Sequence, residues 1–489
     1  MEEDDVTITV REQNFHSQVR EYIICFLLFA VLYFVSYFII TRYKRKADDH
    51  EDEDAIVNRI SLYLCTFTLA VSAGAVLLLP FSIVSNEILL SFPKNYYIQW
   101  LNGSLIRGLW NLVSLFSNLC LFMLMPFAYF FLESEGFAGS KKGIKARVLE
   151  TFVMLILLGL LILGIVWVAS ALIDNDAASM ESLYDLWEFY LPYLYSCISL
   201  MGGLLLLLCT PVGLSRMFTV MGQLLVKPTI LEDLDEQIYC IHLQEEALQR
   251  RLNGMTSHSQ NNPVDLQQEL DSVRSMKNKL ERRKKASAWE KNLVYPVVML
   301  ILLAGTTISV LLVVFNILYL LVDETAMPRG SKEQGIGSAS LFTFGFVGAA
   351  LEIILIFYLM VSSVVGFYSL RVFEELTPRK DDTTMTTIIG CCVSILVLSS
   401  ALPVMSRTLG ITRFDLLGDF GRFNWLGNFY IVLSYNILFA VVTTLCLVRK
   451  FTSAVREELL KALGLDKLHL SNNTREPEKH SANGHQKSL

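Results

Sequence analysis

YIICFLLFAVLYFVSYFIITRYKRK, from Tyr22 to Lys46, decides how the rest of the chain is read. Residues 22–41 carry no charge, and Arg42, Lys44, Arg45 and Lys46 follow at once. About 20 apolar residues are what a helix needs to cross a bilayer. Upstream the chain is acidic, with Glu2, Glu3, Asp4, Asp5, Glu12 and Glu21 against Arg11 and Arg20. A cleaved signal peptide carries its positive charge ahead of the apolar run. Here the order is reversed, so the run reads as a retained anchor with residues 1–21 outside.

The same reading finds spans near 22–41, 60–83, 109–132, 149–173, 191–213, 293–322, 341–369, 387–406 and 429–448. Lipid satisfies no backbone hydrogen bonds, so each must be helical. Lysine and arginine test the arrangement. Of 41 such residues, 32 fall in the five segments placed in the cytosol and none inside a span, as the positive-inside rule requires. The expected architecture is all-α: an external tail (1–21), spans one to five (22–213), a cytosolic segment (214–292), spans six to nine (293–448) and a cytosolic, partly disordered tail (449–489). With 53% hydrophobic and only 18% charged residues, against about 25% charged in a soluble domain, a soluble enzyme and a nucleic-acid partner are excluded.

Two further features bear on partners. In the cytosolic segment, Leu231, Leu234, Ile238, Ile241, Leu248 and Leu252 recur at alternating steps of three and four, with Glu245 in one seam position. Leu266, Leu270, Val273 and Leu280 form a second series beyond Asn253-Gly254 and Asn262-Pro263. That pattern predicts an antiparallel helical hairpin, a short coiled coil, and residues 229–285 are the expected docking surface for a cytosolic protein. The bases at its end, Arg282 to Lys285, read first as a solvated positive-inside cluster that sets topology, with attraction to anionic membrane lipid as the alternative. The tail opens with an amphipathic stretch: Phe451, Val455, Leu459, Leu460 and Leu463.

Catalytic chemistry is scarce. All seven histidines lie outside the spans, there is no HExxH and no P-loop, and neither enzyme activity nor a metal or other cofactor is expected. Eight of the nine cysteines lie in apolar runs and read as small buried hydrophobes. One acid, Glu352, falls within the seventh span. A charge at mid-bilayer costs roughly 2.5–3.5 kcal/mol on insertion scales, which leaves two readings: a proton or ligand site, or a protonated acid bonded to neighbouring helices, with Asn118, Asn316 and Asn436 as potential partners. Gly345, Gly348, Ala349, Ser362 and Gly366 suggest that this span packs closely and centrally. Pro80 and Pro403 are expected to break the second and eighth spans near their outer ends, and the Trp-Leu pairs at Trp100 and Trp425 hint at a parallel repeat. Loop 407–428 mixes Arg413, Asp415, Asp419, Arg422 and Trp425 with phenylalanines and leucines, which suits either a ligand-contacting loop or a cap on the other external loops. Asn102-Gly103-Ser104 is an external sequon close to the third span and a glycosylation candidate.

Long stretches are specific enough to suggest a family. They include Gly74 to Ile83 (GAVLLLPFSI), Asn95 to Ser104 (NYYIQWLNGS), Phe131 to Gly139 (FLESEGFAG), Lys285 to Trp289 (KASAW), Phe357 to Tyr368 (FYLMVSSVVGFY) and Phe414 to Trp425 (FDLLGDFGRFNW). In these the chain resembles the limb region 1 and lipocalin-interacting membrane receptor family over nearly its whole length. The resemblance implies nine passes, an external N-terminus, a plasma-membrane location with an endoplasmic-reticulum or endolysosomal pool as the alternative, and receptor activity. One relative is regarded as an endocytic receptor for a lipocalin, and a more distant lysosomal one takes part in cobalamin export. The expected function is a receptor for a secreted lipocalin or other external ligand, with endocytic or signalling output. A transporter, or transport accessory, for a small apolar ligand and a signalling or quality-control scaffold are the alternatives.

Overall fold

The computed structural model describes residues 2–45, 52–134, 143–173, 191–226, 228–254, 263–289, 293–322, 345–411 and 429–462. Among the described residues, nine helical stretches are long and apolar enough to cross a membrane. The first two are α1 (Glu2–Tyr43) and α2 (Asp52–Ser91). The third is a continuous rod made of α3 (Tyr96–Trp100), a π-helical turn (Leu101–Leu105), α4 (Ile106–Leu119), a second π turn (Cys120–Leu124) and α5 (Met125–Glu133). Then come α6 (Ile144–Ile173) and α7 (Leu191–Val226). Two polar helices follow, α8 (Pro228–Gly254) and α9 (Pro263–Trp289). The remaining spans are α10 (Tyr295–Val322), α11 (Phe346–Ser369), α12 (Met385–Thr408) and α13 (Phe429–Ala462).

Several boundaries depart from the sequence expectation. α1 starts twenty residues early, because no glycine or proline stands between Glu2 and Tyr43 to stop a helix once nucleated. The expected breaks at Pro80 and Pro403 do not occur: α2 and α12 run through both. A membrane helix tolerates the carbonyl that a proline frees when neighbouring helices enclose it, and Leu79 and Leu402 beside these prolines are fully buried. The amphipathic start of the tail is the uninterrupted end of α13.

Four helices, α2, α7, α11 and α12, form the interior, with half or more of their apolar stretch buried. α7 is the hub. Small residues one turn apart, Cys209 and Gly213 on α7 and Ser362 and Gly366 on α11, bring the two backbones into direct contact. A Cβ on Gly213 would strike the Ser362 carbonyl, and one on Gly366 would strike that of Cys209. Thr210 and Ser363 hydrogen-bond beside this crossing, at 2.7 Å. On another face, a Cβ on Gly202 would lie 2.5 Å from the Val397 carbonyl of α12. Close approach at small residues is how membrane helices gain dispersion contact without a hydrophobic drive between them. Of the small residues singled out on the seventh span, Ser362 and Gly366 do this. Gly345 does not: it is the residue before α11, at φ +61° in open space.

α2 and α12 run side by side in one direction, as Cys392 meets the Cys65 carbonyl at 3.7 Å and Leu396 clusters with Val71. At one end of the bundle the chain after α1 is tied to the chain before α12. Arg45 N–H donates to the Thr383 carbonyl at 3.1 Å, Thr383 N–H to that of Tyr43 at 3.2 Å, and the Arg45 guanidinium pairs with Asp382 at 2.6 Å.

Candidate functional site

Four polar residues, buried Ser199, Glu352 and Asn436 and half-buried Asn316, form a layer near one end of the bundle, while others such as Ser72, Thr210 and Ser363 are buried at other depths. Tyr435 OH donates to the Gly203 carbonyl and Lys450 to Thr219, so α13 runs parallel to α7. Asn316 and Asn436 each donate to the Thr408 carbonyl, at 3.0 and 2.9 Å, and Asn316 also to the Asn436 side chain at 3.1 Å. The starts of α7, α11 and α13 therefore lie on the same side as the ends of α10 and α12. At 1.5 Å per residue, Glu352, Ser199, Asn436 and Asn316 all sit about 9–12 Å in from those helix ends.

Glu352 is 5% exposed and lies on the buried stripe of α11 that continues through Leu355, Leu359, Ser362 and Gly366. Burial at that level is what the intramembrane acid was expected to show. Of the three asparagines offered as its partners, Asn316 and Asn436, but not Asn118, hold the last carbonyl of α12 where the chain turns at Gly410 (φ +76°). They supply the hydrogen bonds that the helix end would otherwise lack. Ser199 on α7 and Ser406, close to the end of α12, are also buried. A carboxylic acid buried at this level can hold a proton or receive a hydrogen-bonding group.

The same end carries a second cluster that sequence reasoning missed. The Arg20 guanidinium lies 4.5 Å from the centre of the Trp100 ring, and Trp100 Nε1 donates to Glu21 at 3.1 Å. The contact joins α1 to the start of the third span. The juxtaposition of charged and indole residues at the ends of two apolar runs was a legible signal, but the pairing of those runs was not. Asn102 is not in a loop: the sequon forms the π turn after Trp100, because Asn95 caps a helix from Tyr96 by accepting from Tyr97 N–H at 3.1 Å. Arg413, Asp415, Asp419, Arg422 and Trp425 lie outside the described residues.

At the opposite end, α8 and α9 pack in antiparallel register. Glu245 pairs with Arg274 at 3.0 Å and Lys277 at 2.9 Å, and Asp235 pairs with Lys284. Ile238, Ile241, Glu245, Leu248 and Leu252 are half-buried, facing Leu266, Leu270, Val273, Lys277 and Leu280, while their neighbours are exposed. Glu245, the odd residue of the first series, is thus matched by Lys277, the odd one of the second. The hydrogen bond from Lys277, and then that from Arg274, holds the Glu245 carboxyl below the usual carboxylate range.

Nine membrane-length helices among the described residues, with a helical pair between spans five and six, meet a matching family profile. Residues 21–280 and 255–451 match the description LMBR1-like membrane protein. The chain belongs to this family. It is 85% identical to the limb region 1 protein homolog of Gallus gallus, covering 100% of both chains, and 83% identical to that of Homo sapiens, covering 99% of each. It is also 63% identical to protein LMBR1L of Mus musculus over 96% of both chains. No solved structure matches the chain.

Proposed function

We propose that this LMBR1-like protein is a multi-pass plasma-membrane receptor in which an external ligand acts on the outer end of α7, and α7 passes the change to the cytosolic helices. The observation that carries this reading is the continuity of α7. One helix runs from Leu191, beside the polar layer, to Val226, and α8 begins at Pro228. A rigid element common to both ends is what coupling between two sites requires. In this reading residues 1–21 are external and the C-terminus cytosolic, as the lysine and arginine bias supports. Arg413, Asp415, Asp419, Arg422 and Trp425 contact the ligand, a secreted lipocalin being the first to try. The α8–α9 pair, as a coiled coil, recruits partners for endocytic or signalling output.

The test is uptake by cells expressing the protein, with a lipocalin and its hydrophobic cargo separately labelled. Entry of both labels together, abolished by deleting residues 229–285 while surface binding persists, is the expected result. Failure of both to associate with protein confirmed at the surface would remove the lipocalin as ligand.

Glu352 favours a second reading. A buried acid in a polar layer suits a transporter, or transport accessory, for a small apolar ligand. Entry of cargo without its carrier, lost in Glu352→Gln, would establish that reading over the first.

A further inference from the structure

A groove of about 450 Å³ opens between α10 and α13, away from the polar layer and toward the basic end of α13. Leu303, Leu311, Leu447, Val448 and Phe451 line it. Its threonines add little polarity. Thr307 donates to the Leu303 carbonyl at 2.8 Å and Thr444 to that of Ala440 at 2.7 Å, while Thr306 bonds Leu302 and Tyr358. With these three hydroxyls turned onto backbone or onto Tyr358, their methyl groups join the walls, which are otherwise mostly aliphatic and aromatic. It extends over nine residues of each helix, Leu303 to Leu311 and Thr444 to Thr452, or about 12 Å along the helix axis.

Charge identifies the occupant. The apolar run of α13 ends at Val448, one of the groove residues, and Arg449 and Lys450 follow directly. Lys450 is engaged with Thr219 of α7 at 2.5 Å, and Phe451 with Phe218, which fixes the two helices side by side. Arg449 is exposed, as is Arg216 of α7. The acids Glu457 and Glu458 come only after a further turn and more, beyond the end of the groove. Arg449 does not line the groove but lies one helical turn before Thr452, which does. A guanidinium so placed beside a hydrocarbon cleft meets a phosphate by bidentate hydrogen bonding, at the level where lipid headgroups lie.

We infer that the α10–α13 groove binds one acyl chain of an anionic glycerophospholipid whose headgroup is held by Arg449. The site is separate from the polar layer and from the α8–α9 pair, and it stands whether the protein is a receptor or a transporter.

Delipidated full-length protein titrated with phosphatidylserine or phosphatidylcholine, read by native mass spectrometry, tests it. One basic side chain at the headgroup level gives about a fivefold preference, so the first phosphatidylserine binds about fivefold more tightly than the first phosphatidylcholine. Thr307→Trp fills the groove and removes this first binding event for both lipids. Thr444→Phe does so from the other wall, which guards against misfolding of one variant. Arg449→Gln keeps the event and abolishes the preference. Equal affinity for the two lipids in the unaltered protein overturns the headgroup assignment. An unchanged first event in both groove-filling variants, with their melting temperatures preserved, overturns the site.

Discussion

α6 and α7 follow one another in the chain, and the more hydrophobic of the two is the less buried. The apolar stretch of α6 has a mean hydropathy of 2.7 and is 6% buried, whereas that of α7 has 2.1 and is 50% buried. In water the order would be reversed. In a bilayer, hydrocarbon is as comfortable for leucine as another helix is, so apolar surface does not choose the interior. What chooses it is the ability to approach closely and to share hydrogen bonds. α7 has Gly202, Cys209 and Gly213 at backbone contacts and Thr210 bonded to Ser363. α6 has Gly159 and Gly164, and an added Cβ at either meets nothing within 4 Å.

Glycine replacements break or uphold this comparison most sharply. Gly213→Leu drives a side chain into the α11 backbone, and overpacking of this kind costs about 3 kcal/mol or more. A large fall in melting temperature in detergent, or loss of assembled protein, is expected. Gly159→Leu and Gly164→Leu should stay within about 0.5 kcal/mol of the parent, as surface changes do. Equal losses at Gly213 and Gly159 would refute the division into interior and periphery.

A smaller effect is expected at Asn436. Asn436→Leu keeps the volume but takes a donor from the buried Thr408 carbonyl, a loss of about 1–3 kcal/mol. Retained stability in that variant would mean that Asn316 alone secures the end of α12. Gly345→Ala, which forces a Cβ onto a positive φ, should cost about 1 kcal/mol.

The smallest change concerns the polar pair. Because its folded pKa is depressed, Glu245 contributes stability that is fully present above the ordinary carboxylate pKa. That contribution is lost as pH falls through the lowered folded value. Hydrogen exchange in α8 and α9 should accelerate below about pH 4.5, while α7 and α11 keep their protection. Glu245→Gln should reproduce about 1 kcal/mol of this at pH 7. Exchange in the variant that still responds to acid would assign the effect to other groups.

The spans were legible because each is an apolar run bounded by charge, a one-dimensional property. Glu352 and the odd placement of Glu245 in an apolar series could be singled out for the same reason, whereas its match, Lys277 on the second helix, could not. The ranking of helices was not legible, since the composition of α6 argues for burial and its surroundings deny it. Nor was the fate of Pro80 and Pro403, which depends on the helices around them, nor the helix at Asn102, whose cap is set by a single side chain at Asn95. Asn316 and Asn436 were noted as polar, but their common acceptor, Thr408, belongs to a third helix and no spacing joins the three.

The contact of Gly213 with Gly366 does not divide α7 evenly. The helix extends 22 residues before Gly213 and 13 beyond it, arms of about 33 and 20 Å. In the receptor reading proposed above, α7 is an unequal lever on this contact, with Pro211 beside the fulcrum and the short arm leading to the α8–α9 pair. A wide displacement at the far end reaches the pair as a smaller one of greater force.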